Sequence, residues 1–234
     1  MTSTALAPSP RRNHTGDATT PLMAAQRGTD TAARILEVAE RLVQVQGFNA
    51  FSYADISSEL HIRKASLHHH FPTKAALGEA LIANYHRRFM EALARIRRDH
   101  EDARIRLAKY AELYRGVLRK HRMCLCGVLA ADFETLPRPM RGRVVEFFKA
   151  NEGWLTGVLD EGRRANVLAF TGPASDTAAF LVSSLEGAML VARSYGRLSR
   201  FESVARTLIG ALTKSAANGA SGERGRARRR AKNA

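Results

Sequence analysis

The chain is expected to be all-α, with roughly nine helices. Three observations predict this. Apolar residues recur at 3–4 spacing over most of its length. β-branched runs that would support strands are few. The periodic segments stop at helix-terminating residues: Gly47, then Pro137 with Pro139, then Gly172 with Pro173. At 234 residues the chain is long enough for one large or two small domains with a real core.

Residues 1–28 are rich in Thr, Ala, Pro and Ser and lack apolar periodicity, so they are expected to be a disordered arm. Arg11, Arg12 and Arg27 give that arm a possible contact with DNA. Thr29 or Asp30 then caps the first helix. Ile35, Leu36, Ala39, Leu42 and Val43 form its core stripe, with Arg34, Glu37, Glu40 and Arg41 largely on the other side. Gly47 ends it, and Phe48 folds back over a small core.

The segment FSYADISSELHIRKASLHHHFPTKAAL, residues 51–77, organises the rest. Ser52 caps a short helix with Asp55 in its first turn, where the helix dipole favours an anion. Ile56 and Leu60 share its buried face. His61 to Arg63 is too short to be anything but a turn. A second short helix begins near Lys64 and carries Ser66, His68 and His69 outward and Leu67 and Phe71 inward. Helix, short turn, helix, with small polar and cationic groups on the second, is the layout of a helix-turn-helix DNA reader.

DISSELHIRKASLHHHFPTK resembles the DNA-binding segment of tetracycline-repressor (TetR) type regulators. The match runs through Asp55, Ile56, Ile62, Lys64, Ser66, Leu67, His70, Phe71 and Lys74. It departs at His61, where that family usually has Gly, at Arg63 in place of Ser, and at His68 in place of Tyr. His61 is therefore expected to take a positive φ, which His adopts more often than most residues. With the preceding helix, the resemblance covers about fifty residues. It implies base contacts from Lys64, Ser66, His68 and His69 in a major groove. It assigns phosphate contacts to His70 and Lys74, the latter at a helix N-terminus that offers free N–H groups. Ser52, Ala65 and Thr73 complete the DNA-contact set.

Beyond the reader, a long helix from Pro72 to about His100 carries Leu77, Leu81, Ile82, Tyr85, Phe89 and Leu93, and so joins the reader to the rest of the protein. Residues 101–121 continue with Ile105, Ala108, Leu113, Val117 and Leu118 as the expected stripe. Residues 123–136 form a shorter helix. Residues 141–168 repeat the period through Val144, Val145, Phe148, Leu155, Val158 and Leu159. Gly153, Gly157 and Gly162 in this stretch mark a bend or a close contact. Residues 176–195 and 198–213 are the last two helices. The expected division is an arm at 1–28, the reader at 29–76, a helical effector-binding and dimerisation domain at 77–216, and a disordered basic tail at 217–234.

The resemblance also implies a small-molecule site between the middle helices. Candidate lining residues are Tyr110, Tyr114, Leu118, Phe133, Phe148, Trp154 and Met189. Simple core packing is the competing reading for each of them. It further implies a two-fold homodimer through the last two helices, with Leu181, Ser184, Leu185, Gly187, Ala188 and Leu208 at the interface. Small residues there allow close helix approach; an intrachain contact is the alternative.

The net charge is +15 and the pI near 10.8. Part of the excess lies in the tail, where Arg224, Arg226, Arg228, Arg229, Arg230 and Lys232 stand against Glu223. Such a surface favours a polyanion, nucleic acid first and an anionic membrane second. The tail suits either salt-sensitive phosphate attraction or solubilisation. No apolar run approaches a membrane span, and there is no secretory h-region, so a cytoplasmic protein without a membrane partner is expected.

Two cysteines are too few for a disulfide-built fold. Cys124 and Cys126 lie beside His121 and Arg122, which would lower a thiol pKa and suit a redox or electrophile sensor. The opposing reading is two small buried apolar groups. His68, His69 and His70 point about 100° apart in sequence order and cannot share one metal, so neither metal nor cofactor is expected.

Three functions are compatible with these features. The first is a transcriptional regulator, by family default a repressor, that binds a palindromic operator in double-stranded DNA and is released by a small-molecule or electrophile effector. The second is an architectural DNA-binding protein without an effector. The third is a thiol-dependent enzyme, for which no nucleophile, base and orienting group come together in the sequence and no catalytic residue is assigned.

Overall fold

The computed structural model describes residues 19–213. Among them are nine α-helices. The first, α1 (Thr19–Gln46), starts well before the expected cap at Thr29 or Asp30. Gly47 ends it with φ 91°, a conformation that glycine adopts without steric cost. The basic tail and the first part of the arm, with Arg11 and Arg12, lie outside the described residues.

Helices α2 (Tyr53–Leu60) and α3 (Lys64–His70) follow. The turn between them rests on His61 at φ 53° and ψ 39°, the left-handed conformation expected from the sequence. Ile35, Ala39, Val43, Phe48, Phe51, Ile56, Leu67 and Phe71 close the small core beneath the two helices. Thr73 caps the next helix, α4 (Lys74–Asp99), by accepting from Ala76 N at 3.0 Å. That cap sets the start two residues after Pro72, which had been expected to open the helix.

The remainder is a packed set of helices: α5 (Ala103–Leu118), α6 (Leu125–Ala131), a 3-10 turn (Phe133–Thr135), α7 (Arg138–Arg164), α8 (Ala174–Ser194) and α9 (Leu198–Leu212). Pro137 occupies the N-cap of α7 and Pro139 its first turn, where the missing N–H leaves no bond unmade. One backbone bridge, Ala169 N to Leu212 O at 2.8 Å, ties the α7–α8 loop to the end of α9.

Three expected faces are corrected. Glu40 is buried and ion-paired with Arg88 of α4, not on a solvent face. In α5 the buried face is Ala103, Arg106, Leu107, Tyr110, Ala111 and Tyr114, while Ile105 is 45% exposed. In α7 Val145 points outward and Phe147 inward. Of the three α7 glycines expected to mark a bend or contact, Gly162 marks a contact: a Cβ there would stand 2.8 Å from Ala103 Cβ and overlap Leu168. Gly153 faces open space.

The helix-turn-helix unit is fastened to the body at a few polar points. Phe48 N donates to Asp132 Oδ2 at 3.1 Å, and Asn49 Nδ2 to Thr135 Oγ1 at 2.8 Å. Met123 N and the Arg193 guanidinium both donate to Gln44 O at 3.2 Å. The last turn of α1 is thus held by the α5–α6 loop and by α8. Among the described residues no helix is long and apolar enough to cross a membrane.

Candidate nucleic-acid interface

Ser52 opens α2 with a reciprocal cap. Its Oγ accepts from Ala54 N at 3.2 Å, and Ser52 N donates to Asp55 Oδ2 at 2.7 Å. That backbone bond, with a second from Ser52 Oγ to Asp55 Oδ2 at 2.9 Å, holds the Asp55 carboxyl below its ordinary pKa. The cap fixes where α2 begins, and so where α3 lies across it.

On α3, Lys64, Ala65, His68 and His69 are exposed, whereas Ser66 and His70 are half-buried. Leu67 is fully buried and anchors the helix. His68 is not a free reader: its ring packs 4.8 Å from Tyr53, and Nδ1 lies 3.3 Å from Pro72 O. His69 and His70 stack edge to face at 5.3 Å.

Lys74 also differs from expectation. Its Nζ donates to Phe51 O at 2.6 Å and lies 4.4 Å from the Phe51 ring centroid and 4.8 Å from that of Phe48. Burial lowers its pKa, against the opposing pull of Asp55. Lys74 therefore braces the turn before α2 with one of its three N–H groups, and any phosphate contact shares the remaining two. Thr73 is exposed and spends its hydroxyl oxygen on the α4 cap.

Ser52, Lys64, His68 and Lys74 come together around a shallow hollow of about 430 Å³ that Phe51, Tyr53 and Ala54 complete. Tyr53 was missed by the sequence reading. Its hydroxyl donates to Phe71 O at 2.7 Å and so joins α2 to the end of α3. An aromatic residue directly after an N-cap was the available signal.

The expected effector-lining residues are dispersed. Tyr110 and Tyr114 are buried with their hydroxyls 2.9 Å apart, and Trp154 stacks on Tyr110 at 5.8 Å. Met189 is fully buried. Phe148 packs on Phe147 at 5.5 Å. Phe133 lies apart from these, beneath the Arg141 guanidinium. Leu118 lines a separate groove of about 390 Å³ with Arg122, Arg193 and Arg197.

The cysteines correct the expectation of activated thiols. Cys124 and Cys126 are both free and buried. Burial first, then the nearby Glu186 carboxyl, pushes both thiols well above their ordinary pKa. His121 and Arg122 do not offset this. The Tyr85 hydroxyl lies 3.7 Å from Cys124 Sγ.

The dimer candidates divide. Leu181 and Leu185 are buried within their own subunit, as is most of Ala188, so the first two are corrected from interface to core. Leu208 is half-buried against that same core. Ser184, Gly187 and Ala188 line a groove of about 510 Å³ with Val191, Arg200 and Val204. Phe180, Leu190 and Val191 of α8, Tyr195 at its C-cap and Val204 of α9 stand exposed. Helix α8 is apolar on both sides, which hides from the sequence which side faces home.

Comparison with known proteins agrees with this geometry. Residues 35–81 match the family described as bacterial regulatory proteins, tetR family. The crystal structure of a TetR-family transcriptional regulator from Agrobacterium tumefaciens superposes with a TM-score of 0.78 at 33% identity, over 80% of this chain and 100% of that one. The HTH-type transcriptional repressor NemR of Escherichia coli (strain K12) is 26% identical over 171 residues, 70% of this chain and 84% of that protein. The nucleoid occlusion factor SlmA of Colwellia psychrerythraea is 28% identical over 155 residues, 66% and 78% of the two chains. The helix-turn-helix unit, the helical body behind it and the near-complete superposition have one explanation: this chain is a DNA-binding transcriptional regulator and belongs to the TetR family.

Proposed function

We propose that the protein is a repressor that occupies a palindromic operator as a two-fold dimer and leaves it when a small molecule binds the helical body. The observation that carries this reading is the α3 surface. Lys64, Ala65 and His69 are exposed there on a helix held by a buried Leu67, beside the caps at Ser52 and Thr73. A second copy is supported by the exposed apolar residues of α8 and α9, since reading two half-sites requires two readers. The functional division at residues 76 and 77 falls inside α4, which runs unbroken from the reader into the body. A tilt of α4 changes the spacing of the two readers.

The effector is proposed to bind reversibly and not by alkylating Cys124 or Cys126, because both thiols are buried and disfavour the thiolate. Its leverage is the ratio of its affinities for the two subunit arrangements.

Selection of bound duplexes from a random DNA library at near-physiological salt tests the reading. An enriched palindrome with half-sites about 34–36 Å apart is expected. Salt-sensitive bulk binding without enrichment would defeat it. A second reading, DNA occupancy without an effector, takes its support from the likeness to a nucleoid occlusion factor. A ligand that changes affinity for the selected operator decides against it.

A further inference from the structure

The interior between α5, α7 and α8 contains polar atoms that the fold does not use. Glu186 Oε1, both side-chain polar atoms of Asn151, and Trp154 Nε1 are buried without a hydrogen-bond partner. Buried polar groups are nearly always partnered, and a buried carboxylate is nearly always paired with a cation. Among the described residues no Arg, Lys or His forms an ion pair with Glu186. Its contact is the Cys124 thiol, which favours the charged form, and its charge helps to raise the pKa of the Tyr85, Tyr110 and Tyr114 hydroxyls, which burial raises first. Room for the carboxyl comes from Gly127 of α6, where a Cβ would overlap Oε2.

The surrounding walls are aromatic. Trp154 and Tyr110 stack with 19° between their planes. Phe89 meets Tyr110 at 6.4 Å and Tyr114 at 6.2 Å, both edge to face. The other side of Phe89 stacks on Tyr85 at 6.1 Å. Tyr85 and Phe89 together floor an open groove of about 410 Å³ between α1, α4 and α5. Phe89 is therefore the partition between solvent and the tyrosine pair.

We propose that this interior binds a small organic cation, an amine or quaternary ammonium on an apolar body, with Glu186 as counter-charge and Tyr110, Tyr114 and Trp154 as aromatic walls. The proposal rests on the effector reading above and gives that effector a chemical class. Burial raises the carboxyl to about 7, so above that pH an anion is repelled by the ionised Glu186 and a neutral ligand leaves its charge uncompensated. A cation is attracted both by the carboxylate and by the ring faces. The groove is lined by both signs of charge, Glu40 and Glu112 with Arg88, Lys120 and Arg122, so selection for positive charge is made at Glu186 and not at the mouth. The same site touches α6 through Gly127 and Cys124. Just after α6, Asp132 holds Phe48 N of the DNA-binding unit, so a ligand that draws on Glu186 acts on the fastening of the reader.

Trp154 is the chain's one tryptophan, so its fluorescence reports occupancy without DNA. The full chain is titrated at pH 7.5 with benzyltrimethylammonium, tetraethylammonium, benzyl alcohol and benzoate. At least one of the two cations is expected to saturate the signal at least about tenfold more tightly than either benzyl alcohol or benzoate. Glu186→Gln, which keeps the shape of the side chain, is expected to weaken that cation by a similar factor. Glu186→Asp is expected to retain part of its affinity. The proposal is overturned if neither cation saturates the signal, if benzyl alcohol or benzoate binds as tightly, or if Glu186→Gln leaves cation affinity unchanged. Each result is independent of operator selection. An enriched palindrome with no cation binding removes this ligand class and leaves the regulator standing, whereas cation binding without an enriched palindrome keeps the site and removes the regulatory reading.

Discussion

Lys74 serves two purposes at once, and substitution separates them. Its ammonium holds Phe51 O and covers two rings, so Lys74→Ala should cost about 1–3 kcal/mol of stability in thermal melts. Well below the melting point the variant should also bind specific and random duplexes more weakly by a similar factor. A loss confined to base preference would contradict the phosphate role. Glu186 makes a separate prediction. Burial raises its carboxyl from 4.5 to about 7. Between those values the folded state holds a proton that the unfolded state has released, so this contribution favours folding at low pH and is lost as pH rises through that window. Its size is about 3 kcal/mol, at about 1.4 kcal/mol per pH unit. Urea melts of wild type and Glu186→Gln should therefore diverge from pH 5 to pH 8, with the variant gaining in relative stability; parallel curves would place the carboxyl in water. Single residues differed in how readable they were. The positive φ of His61 was legible because His61 stands where the resembled segment usually carries Gly. The burial of Glu40 and Glu186 was not, because each depends on a partner or neighbour distant in sequence, Arg88 for one and Cys124 for the other.

Helix positions were legible because apolar spacing and end signals agree, and the expected cap at Ser52 stands where the structure has one. Helix faces were less so. In α5 the visible stripe ran through Ile105 and Ala108, yet Arg106 is buried because its guanidinium meets Glu161, His100 O and Arg97 O. A charged residue satisfied from three directions counts as core, and hydropathy alone assigns it to solvent. The α7 glycines carry an element-scale prediction. Gly162→Ala places a methyl against Leu168 and Ala103 at the α5–α7 crossing and should cost about 1–3 kcal/mol. Gly153→Ala meets nothing within 4 Å and should gain up to about 1 kcal/mol from helix propensity. Melting temperatures of the two variants should move in opposite directions. A shared direction would mean that the α5–α7 contact is looser than described or that Gly153 is covered in the assembled protein.

The reader's layout was legible from one short segment because its function demands fixed spacing, whereas the body's surfaces depend on how helices far apart in sequence meet. That difference is sharpest at the proposed dimer face. Of the residues expected there, Ser184 and Gly187 line the open α8–α9 groove, whereas Leu181 and Leu185 belong to the core; the exposed apolar residues of this region are Phe180, Leu190, Val191, Tyr195 and Val204. Val191 is 48% exposed and lines the α8–α9 groove. In a two-fold arrangement each copy of this residue meets the partner's matching face, so Val191→Arg introduces two desolvated charges for one substitution. Inside a subunit the same change falls on a half-exposed position and should alter monomer stability by less than about 0.5 kcal/mol. Sedimentation should therefore show a shift to monomer with the melting profile of the isolated subunit largely kept. Binding to the selected palindrome should fall steeply while salt-sensitive binding to random duplex, which needs one reader and the basic surface, persists. If Val191→Arg leaves both the mass and the palindrome affinity unchanged, the readers are joined through another face, and the link from body to reader must run through α4 within each subunit alone.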